Sequence, residues 1–191
     1  MNEQEQFWQG EFGNAYTARN SVDWWARVPF WARMMGMYRP RSVAEFGCNA
    51  GWNLMAIRAT GFGVEMDGVD INPEAVKRAQ AAGLPVFLGT DLGGLEAEMV
   101  FTAGVLIHIA PENLAATMQM LANHSSRYLV AIEYESDREQ EVEYRGHKHR
   151  LWKRPFGKLY IEAVPGLRMI DKWDSADGFD RCAAWVLEKT Q

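Results

Sequence analysis

From Ser42 onward, short apolar runs alternate with amphipathic ones, and this alternation restricts the possible fold more than any other feature of the sequence. Ser42 to Phe46 reads as a strand closed by Gly47, and Gly51 to Thr60 as a helix with Leu54, Ile57 and Met55 turned inward. Val64 to Ile71 is a second strand. Pro73 then opens a helix after Asn72, and Gly83 ends it. Pro85 to Leu88 is a third strand. Met99 to Val105 is a fourth, apolar nearly throughout, as a strand covered on both faces should be. Pro111 opens a helix to Asn123, Tyr128 to Tyr134 is a fifth strand, and Phe156 to Val164 is a helix closed by Pro165-Gly166. Leu167 to Trp173 and Cys182 to Glu188 read as a closing antiparallel hairpin. The pattern predicts an α/β fold: a doubly wound, seven-stranded, mostly parallel sheet with right-handed crossovers.

Upstream, Ser21 is placed to cap an aromatic-rich helix, Val22 to Tyr38, that stops at Arg39-Pro40. Residues 1–39 are expected to form a helical lid and 40–191 an α/β core, together one domain. Four of the eight tryptophans (Trp8, Trp24, Trp25 and Trp31) fall in this lid, as core packing, as an aromatic cover over a ligand, or both. The polar stretch Glu135 to Arg154 has no readable period.

Composition narrows the function classes. With 48% apolar and 24% charged residues the chain can build a packed core, which argues against disorder. A net charge of -5 argues against a general nucleic-acid binder. No apolar run is long enough to cross a membrane, and the acidic start has no secretory apolar region. A cytoplasmic protein with Cys48 and Cys182 as free thiols is therefore expected. Neither cysteine has a neighbour at ligand spacing, so no metal is expected.

The chemistry concentrates at Glu45-Phe46-Gly47-Cys48-Asn49-Ala50-Gly51, where the first strand turns into its helix. In open α/β sheets ligands sit outside the carboxyl ends of the strands. Gly47 and Gly51 permit close backbone approach, and Asn49 tolerates left-handed geometry. A dinucleotide site wants Gly-x-Gly-x-x-Gly, which is absent, so a short dehydrogenase is disfavoured. Glu45 would repel a pyrophosphate and suits an ammonium or sulfonium. Asp70, followed by Ile71-Asn72, ends the second strand where a carboxylate can accept ribose hydroxyls. Asp91 with Leu92 follows the third strand, within reach of an adenine amino group. Thr102, Gly104 and His108 lie at the end of the fourth strand and in the loop after it.

This order of features resembles the class I methyltransferase family over residues 40 to 134 and the final hairpin. In that family an acidic Gly-rich loop holds the methionine part of S-adenosylmethionine (SAM), the second-strand acid holds the ribose, and the third-strand Asp reads adenine. The resemblance implies those roles for Glu45, Gly47, Cys48, Asn49 and Gly51, for Asp70, and for Asp91 with Leu92; Asn49 departs from the usual glycine. A closer resemblance, to methylases associated with pseudaminic acid biosynthesis, is carried by five segments. They are Phe7 to Asn14, Arg19-Asn20, Phe46 to Gly51, Gly104 to Ile109, and Tyr144-Arg145-Gly146-His147 with Leu151 to Arg154. It implies SAM as cofactor and S-adenosylhomocysteine as product.

Within that frame, His108 is a base, a contact to cofactor or substrate, or a histidine that only bonds to structure. Glu133 and Tyr134 end the fifth strand, where they can reach a substrate or cap the next loop. Trp8, Tyr16 and Arg19 are expected to fold over the cofactor, with Arg19 pairing its carboxylate. Trp24 and Trp25 are expected to wall the substrate. The basic run from Tyr144 to Arg154 is either a solvated face or, with Tyr144, Arg145 and His147 inward, a patch for an anionic small molecule. A macromolecular acceptor and a catalytically silent SAM-binding scaffold are the alternatives.

Overall fold

The computed structural model describes residues 2–190. Its helices are α1 (Glu3–Gln9), α2 (Glu11–Arg19), α3 (Val28–Tyr38), α4 (Trp52–Ala59), α5 (Pro73–Ala81), α6 (Pro111–Asn123) and α7 (Phe156–Ala163). The strands are β1 (Ser42–Phe46), β2 (Glu65–Asp70), β3 (Val86–Leu88), β4 (Ala97–Ala103), β5 (Ser125–Tyr134), β6 (Gln140–Glu141), β7 (Trp152–Lys153), β8 (Leu167–Trp173) and β9 (Cys182–Lys189). Seven of them form one sheet in the order β3-β2-β1-β4-β5-β9-β8. β1 to β5 pair in parallel, and β9 slots between β5 and β8, antiparallel to both.

The alternation of side chains along the central strands builds the two cores. Met99 and Phe101, with Tyr128, Val130 and Ile132, face one side, where α3 and α4 supply Trp31, Met34, Leu54 and Ile57. Val100, Leu129 and Ala131 face the other, where α6 and α7 supply Leu114, Met118, Phe156 and Tyr160. Both faces are buried, so the strands carry apolar residues at successive positions. Each fully buried Leu, Ile, Phe or Met here contributes about 1.5–3 kcal/mol.

The N-terminal region departs from the sequence expectation. Ser21 caps no helix; Trp24–Arg27 form a 3-10 turn, and α3 begins at Val28 with Pro29 in its first turn. Pro29 has no N–H to donate and clashes with the preceding turn, so a helix running through it from Val22 is excluded. α1 and α2 precede this turn. Asn2 and Glu5 cap α1 reciprocally, the Asn2 side chain accepting from the Glu5 N–H at 2.9 Å and Glu5 accepting from the Asn2 N–H at 2.7 Å.

Residues 135–154 also form structure. β6 and β7 pair antiparallel. Beyond them Tyr144 and His147 exchange two backbone hydrogen bonds of 2.9 Å. Arg145 and Gly146 between them both have positive φ (51° and 81°), as a type I′ turn requires.

Candidate functional site

A cavity of about 240 Å³ opens at the carboxyl ends of β1, β2 and β4, under α1 and α2. β1 and β4 adjoin at the centre of the sheet, where the strand order reverses. The loop after β1 forms its floor. Gly47 has φ +72°, and a Cβ there would lie 2.5 Å from Cγ2 of Val105. Asn49 is left-handed too, at φ +48°, and its side chain explains why it tolerates this. Its Oδ1 accepts from the Ala50 N–H at 2.8 Å, and its Nδ2 donates to Thr17 of α2 at 3.2 Å. Gly51 caps α4, and Cys48 is a buried free thiol, as is Cys182.

Glu45 stands at the cavity wall and is 1% exposed. Its Oε1 accepts from Asn53 Nδ2 at 2.6 Å, and its buried Oε2 has no hydrogen-bond partner among the described residues. Asn53 Oδ1 in turn accepts from Arg27 Nη1 at 2.8 Å. Burial raises the Glu45 carboxyl to about 8, against the lowering effects of Asn53 and Arg27. An acid that burial keeps protonated despite the nearby guanidinium, with an orphaned oxygen, is placed to meet a cationic group. Asp70 also lines the cavity, its oxygens accepting from the N–H groups of Asn49 (2.7 Å) and Asn72 (2.8 Å). Burial raises its pKa as well. Each carboxylate oxygen retains a second acceptor site for a ligand hydroxyl.

The N-terminal helices are pinned to this floor. Asn72 caps α5 through Oδ1, while its Nδ2 reaches Trp8 O (3.1 Å) and Asn14 Oδ1 (2.9 Å). Arg78 donates to Thr17 O at 2.8 Å, and Gln4 Oε1 accepts from the Ala110 N–H at 2.8 Å. Trp8 and Tyr16 consequently line the cavity, and burial pushes the Tyr16 hydroxyl up to about 12.

His108 is held on a 3-10 turn, Leu106–His108, that is clamped from two sides. The fully buried Glu133 carboxylate accepts from Thr102 Oγ1 (2.9 Å) and from the N–H groups of Val105 (3.1 Å), Leu106 (3.0 Å) and Ile107 (3.3 Å). The fully buried Arg154 donates from Nη1 to the carbonyls of Leu106 (3.1 Å) and Ile109 (2.9 Å), and from Nε to Glu139 (2.7 Å). His108 Nδ1 lies 2.6 Å from the Arg150 carbonyl, and its ring packs against Trp8 and Tyr144. Burial lowers its pKa to about 4 and raises that of Glu133 to about 7.

Of the residues singled out in the sequence, the cavity brings together Glu45, Gly47, Cys48, Asn49, Asp70, Ile71, Asn72, Gly104, His108, Trp8 and Tyr16. Others lie elsewhere. Asp91 is exposed and accepts from its own loop at the Gly93 N–H (2.8 Å), Leu92 is core, and Gly89 and Thr90 border the cavity in their place. Thr102 is sealed against Glu133, and Glu133 itself caps the turn, so neither faces the cavity. Tyr134 packs between the two cores. Gly51 is shut behind the floor, where a Cβ would lie 2.3 Å from Leu84. Arg19 is exposed over the rings of Phe12 and Tyr16, and Trp24 stacks on Trp25 outside the cavity.

Tyr144 backs His108, while Arg145 is exposed and His147 sits exposed against Phe7 and Phe12. The chain's one Tyr-x-x-x-Lys spacing, Tyr144 to Lys148, falls in this tight turn with Lys148 exposed, so it forms no dehydrogenase pair. Arg27 and Asn53 were not anticipated. Asn53 carries a readable signal, a polar residue four before the inward Ile57; Arg27 carries none.

No protein-family model and no curated protein sequence matches the chain. Solved structures do match. Magnesium protoporphyrin IX methyltransferase from Synechocystis PCC 6803 with bound S-adenosylhomocysteine aligns at TM-score 0.71 and 15% identity, over 97% of this chain and 98% of that one. The sugar N-methyltransferase KedS8 from Streptoalloteichus sp ATCC 53650 aligns at TM-score 0.69 and 17% identity, over 96% and 94%. The fold is that of the class I methyltransferases. A SAM-dependent methyltransferase from Clostridium acetobutylicum ATCC 824 aligns in the same way, at TM-score 0.68 and 11% identity over 94% and 98%. At these identities the shared property is the methyltransferase fold. No helix among the described residues is long and apolar enough to cross a membrane.

The buried charges of this fold make a pH prediction. Glu45 and Glu133 are acids raised above their ordinary 4.5, so their contribution to stability is complete below that value and is lost as pH rises through about 7 and about 8. His108 is a base lowered from 6.5, so its contribution is complete above 6.5 and is lost as pH falls toward about 4. Between pH 6.5 and 8 the carboxylates alone act, and the ligand-free unfolding midpoint should fall. Scanning calorimetry checks this; a midpoint that rises across the window contradicts the burial of these acids.

Proposed function

We propose that the chain transfers a methyl group from SAM to a nitrogen, oxygen or carboxylate of a small-molecule acceptor. The observation that carries this reading is the buried Glu45, with its unpartnered oxygen, beside the Gly47–Asn49 turn and Asp70 at the central carboxyl ends of the sheet. Bound SAM supplies an electrophilic methyl on a cationic sulfur. Glu45 would receive its amino group, Arg27 its carboxylate and Asp70 its ribose hydroxyls, while Gly89 and Thr90 border the base. The lid residues Trp8 and Tyr16 would exclude water and align the acceptor, which is where most of the rate enhancement of an in-line displacement comes from. The reading has further support from the sugar, magnesium protoporphyrin IX and plantazolicin methyltransferases that share the fold.

Titration calorimetry with S-adenosylhomocysteine tests the cofactor, and methyl-labelled SAM with a metabolite extract tests the reaction. Micromolar binding and label in a small product are expected. Absence of binding would remove the enzyme reading, label in macromolecules would move the acceptor class, and binding without label would favour a silent scaffold.

A further inference from the structure

Resting on that reading, we propose that the acceptor presents a protic oxygen or nitrogen to Nε2 of His108, so that the product is an ether or an N-methyl compound and not a methyl ester. Nδ1 of His108 lies 2.6 Å from the carbonyl oxygen of Arg150. A carbonyl only accepts, so Nδ1 carries the proton and donates. In the neutral ring this leaves the lone pair on Nε2, the one polar atom His108 can offer to the cavity it lines. The turn that bears the ring cannot pivot freely. Glu133 holds the N–H groups of Leu106 and Ile107, and Arg154 the carbonyls of Leu106 and of Ile109 just after the turn, both side chains fully buried.

A carboxylate finds no free cation among the described residues at this end. Arg27 is the sole Lys or Arg among the described residues lining the cavity, and it is joined through Asn53 to Glu45. The basic run above the lid points elsewhere. Arg145 is exposed, Arg150 pairs with Glu3, and Arg154 is taken up by the turn and Glu139. An anion would meet a nitrogen lone pair, three acidic side chains (Glu5, Glu45 and Asp70) and aromatic walls, and would be desolvated without a free countercharge. A hydroxyl or amine proton instead finds its acceptor.

The transfer balances at His108. The nucleophile's lone pair forms the bond to the methyl carbon, the electrons of the old C–S bond remain on sulfur, and the nucleophile's proton passes to Nε2 and then to solvent. Positive charge moves from sulfur to imidazole, so the cavity's total charge is unchanged during the step. The low basicity that burial gives His108 is therefore offset, because no additional charge has to be created inside the cavity.

The bond type of the product can be tested while the acceptor is still unidentified. Product labelled from methyl-labelled SAM is treated with alkali, which releases methanol from a methyl ester and leaves ethers and N-methyl groups intact. Label retained in the product is expected; volatile label overturns the proposal. Nitrogen NMR of His108 in the ligand-free protein is an independent readout. A bare Nε2 at neutral pH is expected, and a proton on Nε2 overturns the proposal whatever the activity. His108→Phe, which keeps a ring but no acceptor, should lower transfer by about 100-fold with S-adenosylhomocysteine affinity within about twofold. Undiminished transfer overturns the proposal. Loss of S-adenosylhomocysteine binding by the unaltered chain sinks the methyltransferase reading itself, whereas binding with a base-labile product sinks the His108 assignment alone.

Discussion

Glu45→Gln should weaken S-adenosylhomocysteine binding roughly 10- to 100-fold and leave the ligand-free fold as stable as before. In the free protein near pH 7 the Glu45 carboxyl is protonated, because burial holds it at about 8. Glutamine copies that neutral form: its amide oxygen takes the Asn53 N–H that Oε1 now accepts. What glutamine cannot do is ionise when an ammonium arrives. A hydrogen bond to a charged group is worth about 1.5–3 kcal/mol, which sets the expected loss. A second signature separates this from general damage. Binding to the unaltered chain should release a proton from Glu45 below pH 8, so affinity rises with pH up to that point, and calorimetry in buffers of different ionisation enthalpy should detect the release. In Glu45→Gln both effects should vanish. If the variant binds normally, or if affinity of the unaltered chain is flat from pH 6.5 to 8, Glu45 is not the cation receptor.

Much of the fold was readable because its signals are local. The short strand Ser42–Phe46 before Gly47, Asn72-Pro73 at a helix start and Pro111 before a long amphipathic segment each act within a few residues of themselves. The same holds for Asn2 and Glu5, whose capping-box spacing was present in the sequence and marks α1. What could not be read depends on distant partners. Arg154 stands in a run of seven basic side chains, and only the position of the turn after β4 decides that it alone is fully buried. Glu133 was placed correctly at the end of its strand, yet its direction follows from where four donors of a neighbouring loop converge. Arg19 and Arg27 differ by eight positions and look alike as sequence. The 3-10 turn forced by Pro29, and the packing of that turn on Gly178, bring Arg27 rather than Arg19 to Glu45.

Arg154→Met tests whether the turn carrying His108 depends on that distant residue. Methionine fills a similar length of the buried channel but donates nothing, so the Ile109 carbonyl loses its guanidinium partner and the Leu106 carbonyl keeps only the Ile109 N–H at 3.2 Å. A stranded buried acceptor costs about 1–3 kcal/mol and a lost hydrogen bond about 1 kcal/mol more, so a loss of about 2–4 kcal/mol in unfolding free energy is expected. Arg154→Lys should recover only part of it, since one ammonium cannot match the planar fork that reaches two carbonyls and Glu139 together. The effect on chemistry should be distinct from the effect on stability. On the proposed reading S-adenosylhomocysteine would meet Glu45 and Asp70, which Arg154 does not touch, so its affinity in the folded Arg154→Lys protein should change little. Methyl transfer should fall through kcat, and the His108 nitrogen signals should broaden as the 2.6 Å contact to Arg150 is loosened. Were Arg154→Met as stable as the parent chain, the buried guanidinium would be a passenger and the rigidity of this turn would have to come from Glu133 alone. A loss of cofactor affinity matching the loss of kcat would instead mean that the whole cavity, and not the His108 turn, relies on it.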